Sequence, residues 1–144
     1  MGKTRTRRVT AQEVQTMLRN KIVAHYKDHK VVKGISNNFF PNKIFFNLET
    51  PTGESSRIEV DDLKAVFFTK DFDGDKDHDY DYSDEIRGAG RKMKVEFFDG
   101  EVVVGYTLGY SPDRHGFFLT PADLKGNNER IFVVSSSTKA VDFV

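Results

Sequence analysis

Between Met93 and Phe98 the side chains alternate: Met93, Val95 and Phe97 point one way, Lys94, Glu96 and Phe98 the other. A period of two is that of a half-buried β-strand. Asp99-Gly100 follows as a hairpin turn, because glycine takes the positive φ that the tight primed turns demand. Val102–Val104 resumes the strand pattern, and Gly105 marks a bend or bulge where a missing side chain is an advantage. Pro112-Asp113-Arg114 reads as a second turn. Phe117 with Leu119, Ile131 with Val133, and Val141 with Phe143 then supply the inward positions of three more strands. Five short strands in roughly fifty residues predict a small, strongly bent β-barrel.

The same pattern occurs earlier in the chain. Lys21–Asp28 lies over Lys92–Asp99, and at the same offset Val31, Val32 and Gly34 fall on Val102, Val103 and Gly105. Pro41, Phe46 and Leu48 then meet Pro112, Phe117 and Leu119. After short insertions Arg57-Ile58-Glu59-Val60 meets Arg130-Ile131-Phe132-Val133, and Lys64-Ala65-Val66 meets Lys139-Ala140-Val141. The gaps fall in Gly-, Ser- and Asn-rich stretches, where loops tolerate insertion. Self-similarity of this kind predicts a duplicated unit.

Ahead of the first copy, Thr10-Ala11-Gln12-Glu13 has the form of a capping box, flanked by Val9 and Val14 at the positions of a hydrophobic staple. Val14, Met17 and Leu18 continue as an apolar stripe at helical spacing, a lid for the barrel core. The expected organisation is therefore a basic arm and capping helix over 1–20, a first barrel over 21–68, an acidic linker over 69–90 and a second barrel over 91–144.

Charge changes this picture locally rather than globally. The 144 residues carry 22 Lys and Arg against 22 Asp and Glu, so no overall field draws the chain to nucleic acid or to a membrane. The arm, however, holds Lys3, Arg5, Arg7, Arg8 and Arg19 against Glu13 alone. The linker holds Asp71, Asp73, Asp75, Asp77, Asp79, Asp81, Asp84 and Glu85 against Lys70, Lys76 and Arg87. There is no cysteine, which excludes disulfides and thiolate chemistry. No apolar run is long enough to span a bilayer and no secretory segment is apparent, so a soluble cytoplasmic protein is expected.

A short helix followed by five strands, with Val95-x-Phe97-x-Asp99-Gly100, Gly105-x-Thr107, Tyr110 and Phe117-x-Leu119, resembles the Sm-like fold. The resemblance covers about fifty residues per copy, within the size of a minimal domain. It implies a mainly β protein: two tandem five-stranded small barrels, Sm-like or SH3-like, with one short N-terminal helix. RNA-binding Sm proteins contact a base through an Asp and an Asn near the third strand. Here those positions are Ser111 and His115, or Phe40 and Ile44, so oligo-uridine binding is not implied. Lys64–Phe68, Lys70–Gly74 and Phe97–Tyr110 also resemble an uncharacterised bacterial family associated with PilZ signalling domains. The cyclic-dinucleotide motifs of PilZ domains themselves are not matched by Lys3-x-x-x-Arg7 or Gly34-x-Ser36-x-x-Phe39.

Candidate chemistry is sparse. His25, His29, His78 and His115 form no triad in the pattern, and no phosphate-cradling loop or nucleophile motif stands out. Asp71, Asp73, Asp75, Asp77 and Asp79 have the look of a calcium loop but lack the Gly and Glu that an EF-hand needs, which favours a solvated, self-repelling linker. The paired phenylalanines say more. Consecutive strand residues face opposite ways, so Phe45, Phe67, Phe98, Phe118 and Phe132 point away from their own barrels. They either join the two barrels or meet a partner. With Arg5, Arg7 and Arg8 they are the candidate partner-binding residues.

These features lead to a non-catalytic binding or adaptor protein that engages a protein partner, with no cofactor and no membrane, its oligomeric state left open. The alternatives are nucleic-acid binding through the basic arm and barrel aromatics, or a cyclic-dinucleotide signalling component.

Overall fold

The computed structural model describes residues 20–74 and 77–144, and in them the period-two segments form ten strands. The first five are β1 (Asn20–Tyr26), β2 (Val31–Ser36), β3 (Phe45–Glu49), β4 (Ser55–Glu59) and β5 (Leu63–Thr69). The second five are β6 (Arg91–Phe97), β7 (Val102–Thr107), β8 (Gly116–Pro121), β9 (Asn128–Val134) and β10 (Thr138–Phe143). Helical turns among the described residues are the two 3₁₀ turns Val60–Asp62 and Ser135–Ser137. The helix expected from the capping box at Thr10 lies outside the described residues.

The expectation of two tandem barrels is corrected. The strands form one open antiparallel sheet in the order β10-β6-β7-β8-β9-β5-β1-β2-β3-β4. The joint is β5 against β9, with Ala65 opposite Val133, Val66 opposite Phe132 and Phe67 opposite Ile131. The reason lies in the composition of these two strands. All seven residues of β5 are buried, as are Ile131–Val134 of β9. Strands apolar on both faces cannot remain at the edge of a small barrel without exposing one face to water, whereas pairing them covers both.

The same joint creates two cores, one on each side of the central strands. Ile22, Ala24, Phe46, Leu48 and Ile58 from the first half enclose Phe132 and Val134 from the second. Met93, Val95, Phe97, Phe117 and Leu119 from the second half enclose Val23, Ala65 and Phe67 from the first. Each half thus completes the other's core, which halves of this size need in order to bury enough apolar surface.

Sharp bends occur at equivalent places. β2 and β3 share one pairing, Ile35 with Glu49, and β7 and β8 share two, Gly105 with Pro121 and Tyr106 with Thr120. A Cβ on Gly34 would overlap the carbonyl oxygen of Glu49, and a Cβ on Gly105 that of Thr120. Both glycines therefore serve close backbone approach at a corner. The register of the fourth strand differs from the sequence alignment. Phe46 pairs with Ile58 while Phe117 pairs with Val133, so Ile58 corresponds to Val133 and Arg57 to Phe132. A slip of two residues preserves the inside-outside alternation, so the hydrophobic pattern alone does not detect it.

Candidate functional site

The segment between the halves is an ordered strap. Its backbone is zipped to the loop that joins β8 to β9. Lys70 donates its N–H to the Asn127 carbonyl, Asp71 donates to Asn127 Oδ1 at 3.1 Å, and Asn127 Nδ2 returns a bond to the Asp71 carbonyl at 2.8 Å. Further along, His78 Nε2 lies 2.7 Å from Asp123 Oδ2, which also accepts the Asp81 N–H. Asp84 closes the run: its N–H reaches the Ala122 carbonyl, and its Oδ2 accepts the Leu124 N–H at 2.7 Å. Asp123 is 5% exposed. Burial opposes its ionisation, but the bonds from His78 and from the Asp81 and Lys125 N–H groups outweigh that and hold its carboxyl below the usual range. The expected solvated, self-repelling linker is thus pinned along one side.

Between the strap and the sheet lies a groove of about 360 Å³, within the size range of ligand clefts. Val23 of β1 and Phe67 of β5 form its apolar floor, and Phe72, Gly74 and Tyr80 of the strap form one wall. His25 stands at one side with its ring 4.6 Å from that of Phe67. Burial, with the charge of Lys64 behind it, lowers the His25 pKa, so the ring is neutral near pH 7 and offers one donor and one acceptor. Lys33 on β2 directs its Nζ to the Phe72 carbonyl at 2.8 Å and so ties the strap to the sheet. At the floor, Thr69 is 7% exposed, and its covered Oγ1 has no hydrogen-bond partner. A sealed hydroxyl without a partner costs the fold free energy, on the order of 1–3 kcal/mol, unless something else repays it.

Glu101 closes the groove from the second half. It shares Lys64 with Asp99: Lys64 Nζ lies 2.6 Å from Asp99 Oδ2, contacts Glu101 Oε1, and sits over the Phe97 ring at 4.7 Å. Burial alone would lower the Lys64 pKa, but its hydrogen bonds to Asp99 and Glu101 raise it, so the ammonium stays charged and bolts β5 to the β6–β7 turn. Asp73 and Glu101 line the groove together with Lys33, so both signs of charge meet there. Burial and the Glu101 charge push the Tyr82 hydroxyl up to about 12. Tyr80, 52% exposed, stacks on Tyr82 with ring centroids 5.9 Å apart.

The sequence candidates separate on this frame. Phe67 and Phe132 are buried, each in the core of the other half, and Phe118 packs against the first core beneath Arg130. They join the halves. Phe45 lies under the Arg57 guanidinium at 3.8 Å, and Phe98 is 70% exposed beyond the end of β6. Arg5, Arg7 and Arg8 lie outside the described residues, as does Asp75. Asp71 turns inward to its own backbone, its Oδ1 accepting the N–H groups of Asp73 and Gly74. Among the described residues no three His, Asp or Glu side chains converge to hold a metal. Sequence reasoning missed Thr69, Tyr80 and Asn127, and among them only the aromatic residue carries a sequence signal. A second cleft of about 500 Å³ lies between Pro41-Asn42 and Leu108–Phe118, with the covered His115 Nε2 lacking a hydrogen-bond partner.

Among the described residues no helix is long and apolar enough to cross a membrane. No curated protein and no solved structure matches the chain. The profile of a family of unknown function, DUF6982, matches residues 18–144. That match takes in the whole ten-stranded sheet together with its strap, and the chain belongs to the DUF6982 family.

Proposed function

We propose that the protein is a non-catalytic binding module that engages a protein partner at the groove between the strap and the sheet. The observation that carries this reading is the unsatisfied Thr69 hydroxyl at the floor of a cleft lined by both apolar and polar groups. Such a lining suits recognition: an apolar floor for affinity and a few placed polar groups for orientation. The ionisable groups around it serve structure. Glu101 is engaged by Lys64, Lys33 by the Phe72 carbonyl, and Asp123 beneath the strap by His78. The groove's place between the halves also fits an adaptor, since the sheet joint makes a rigid platform beneath it.

The test is site-specific photo-crosslinking in host cells. A photoreactive phenylalanine analogue in place of Tyr80 is expected to give a discrete protein adduct. The same label in place of Leu108, in the other cleft, is not. Adducts confined to nucleic acid, or a small molecule consumed and released as product at the groove, would overturn the reading and favour the nucleic-acid or signalling alternatives.

A further inference from the structure

Most of the carboxylates of the strap face solvent. Asp71, Asp73, Asp77, Asp79, Asp81 and Glu85 are exposed, as are Tyr80 and Ser83, while Phe72, Gly74, His78, Tyr82, Asp84 and Ile86 are partly buried. Around Asp79 and Asp81, where no turn interrupts the strap, alternate side chains stand about 7 Å apart. That is inside the screening length of roughly 8 Å at physiological salt, so the carboxylates repel one another. A flexible linker relieves this by spreading out, but this one is fastened to residues 122–127, which keeps the charges close together. A partner that places positive charge at the same spacing removes the repulsion. A second, independent observation points to a ligand at the same place: the unpartnered Oγ1 of Thr69, sealed at the floor of the groove that Phe72, Asp73 and Tyr80 wall.

We propose that the groove and the outer face of the strap dock an extended basic peptide of a protein partner, with Lys or Arg at alternate positions. One cationic side chain enters the groove beside Tyr80 and Phe72, where Asp73 supplies negative charge and the aromatic ring faces favour a cation. The next cations along the peptide meet Asp79 and Asp81. A nucleic acid does not fit this surface, because its phosphates meet the same carboxylates. The proposal rests on the groove being a protein-binding site and adds the chemistry of the partner.

The chain's own sequence supplies a probe, since Lys3, Arg5 and Arg7 follow the same alternate spacing. A fluorescent synthetic peptide copying Gly2–Val9 is titrated into the full-length protein at low and physiological salt, with anisotropy as the readout. Saturable binding that weakens with salt is expected. The triple variant Asp73→Asn, Asp79→Asn, Asp81→Asn, whose exposed positions leave the fold intact, should weaken it by about tenfold, given what three surface ion pairs contribute. Tyr80→Ala should weaken it several-fold. A peptide with Glu in place of its Lys and Arg residues should not bind. Absence of binding, or binding unchanged in the triple variant, would overturn the proposal. So would binding seen only after Lys3, Arg5, Arg7 and Arg8 of the protein are changed to Gln, which would make the chain's own arm the occupant. A Tyr80 crosslink to a protein segment lacking basic residues would sink this proposal and leave the binding-module reading standing.

Discussion

His29 closes the turn between β1 and β2 with φ of 74°, in the left-handed region that costs a side-chain-bearing residue about 1 kcal/mol or more. At the equivalent turn between β6 and β7 the residue is Gly100, with φ of 93°. The strain is local, and His29 is exposed, so His29→Gly is expected to stabilise the protein by roughly 0.5–1 kcal/mol. A urea titration in which the midpoint falls instead would show that His29 makes a compensating contact. His25, next to buried Ala24 on the same hairpin, sets a pH dependence. Its folded pKa is lowered by burial, while the unfolded imidazole titrates near 6.5. Between those two values the unfolded chain binds more protons, so stability is present above about pH 6.5 and is lost as pH falls through the window. His25→Phe should flatten the stability profile between pH 7.5 and pH 5. Asp99 and Asp123 act in a different range. Hydrogen bonding to Lys64 lowers Asp99, and the bond to His78 overcomes burial at Asp123, so their contributions are lost only as pH falls below about 3.8.

The strap shows how an element with no regular hydrogen-bond ladder is held. Three residues of the β8–β9 loop do most of the fastening: Asp123 accepts from His78 and Asp81, Leu124 donates to Asp84, and Asn127 brackets Asp71. Asp123→Ala removes the carboxylate that His78 and the Asp81 and Lys125 N–H groups share, and is expected to cost about 1–3 kcal/mol. The loss should be uneven. Amide exchange at Asp81 should accelerate, while the amides of β5 and β9 keep their protection, because the sheet joint does not pass through Asp123. Equal acceleration everywhere would mean that the strap and the sheet unfold as one unit. In the sequence this segment reads as a repelling run of aspartates. The aspartates were legible, but the fasteners were not, since Asp123, Leu124 and Asn127 lie some fifty residues away in a loop with no pattern of its own.

At the scale of the molecule, the sheet ends in β4 and β10, the strands that correspond to β9 and β5 at its centre. Counted from the two 3₁₀ turns, β10 places Asp142 where β5 places Phe67. β4 places Arg57 and Glu59 where β9 places Phe132 and Val134, and Arg57 Nε bonds Glu59 Oε1 at 2.7 Å. The central pair is apolar and the outer pair is charged, the usual means by which proteins prevent edge strands from adding further copies. The native protein is therefore expected to be monomeric in light scattering. Arg57→Phe combined with Asp142→Phe should produce concentration-dependent association, and a double variant that remains monomeric would show that the edges are protected by something other than charge.

The alternation of Met93, Val95 and Phe97 determined that the protein is mainly β, because a period of two depends on neighbours along the chain. The corner glycines Gly34 and Gly105 were readable for the same reason. Tertiary structure decided where Phe67 and Phe132 go. A residue pointing out of its own strand pattern has the same sequence signature whether it meets solvent, a partner or the other half of the chain. The choice was made by β5 and β9, which are too apolar on both faces to stay apart, and whose pairing turned two expected barrels into one sheet. The groove followed from that joint, for Thr69, Tyr80 and Glu101 are distant in sequence and meet only once the strap is stretched across the joined halves.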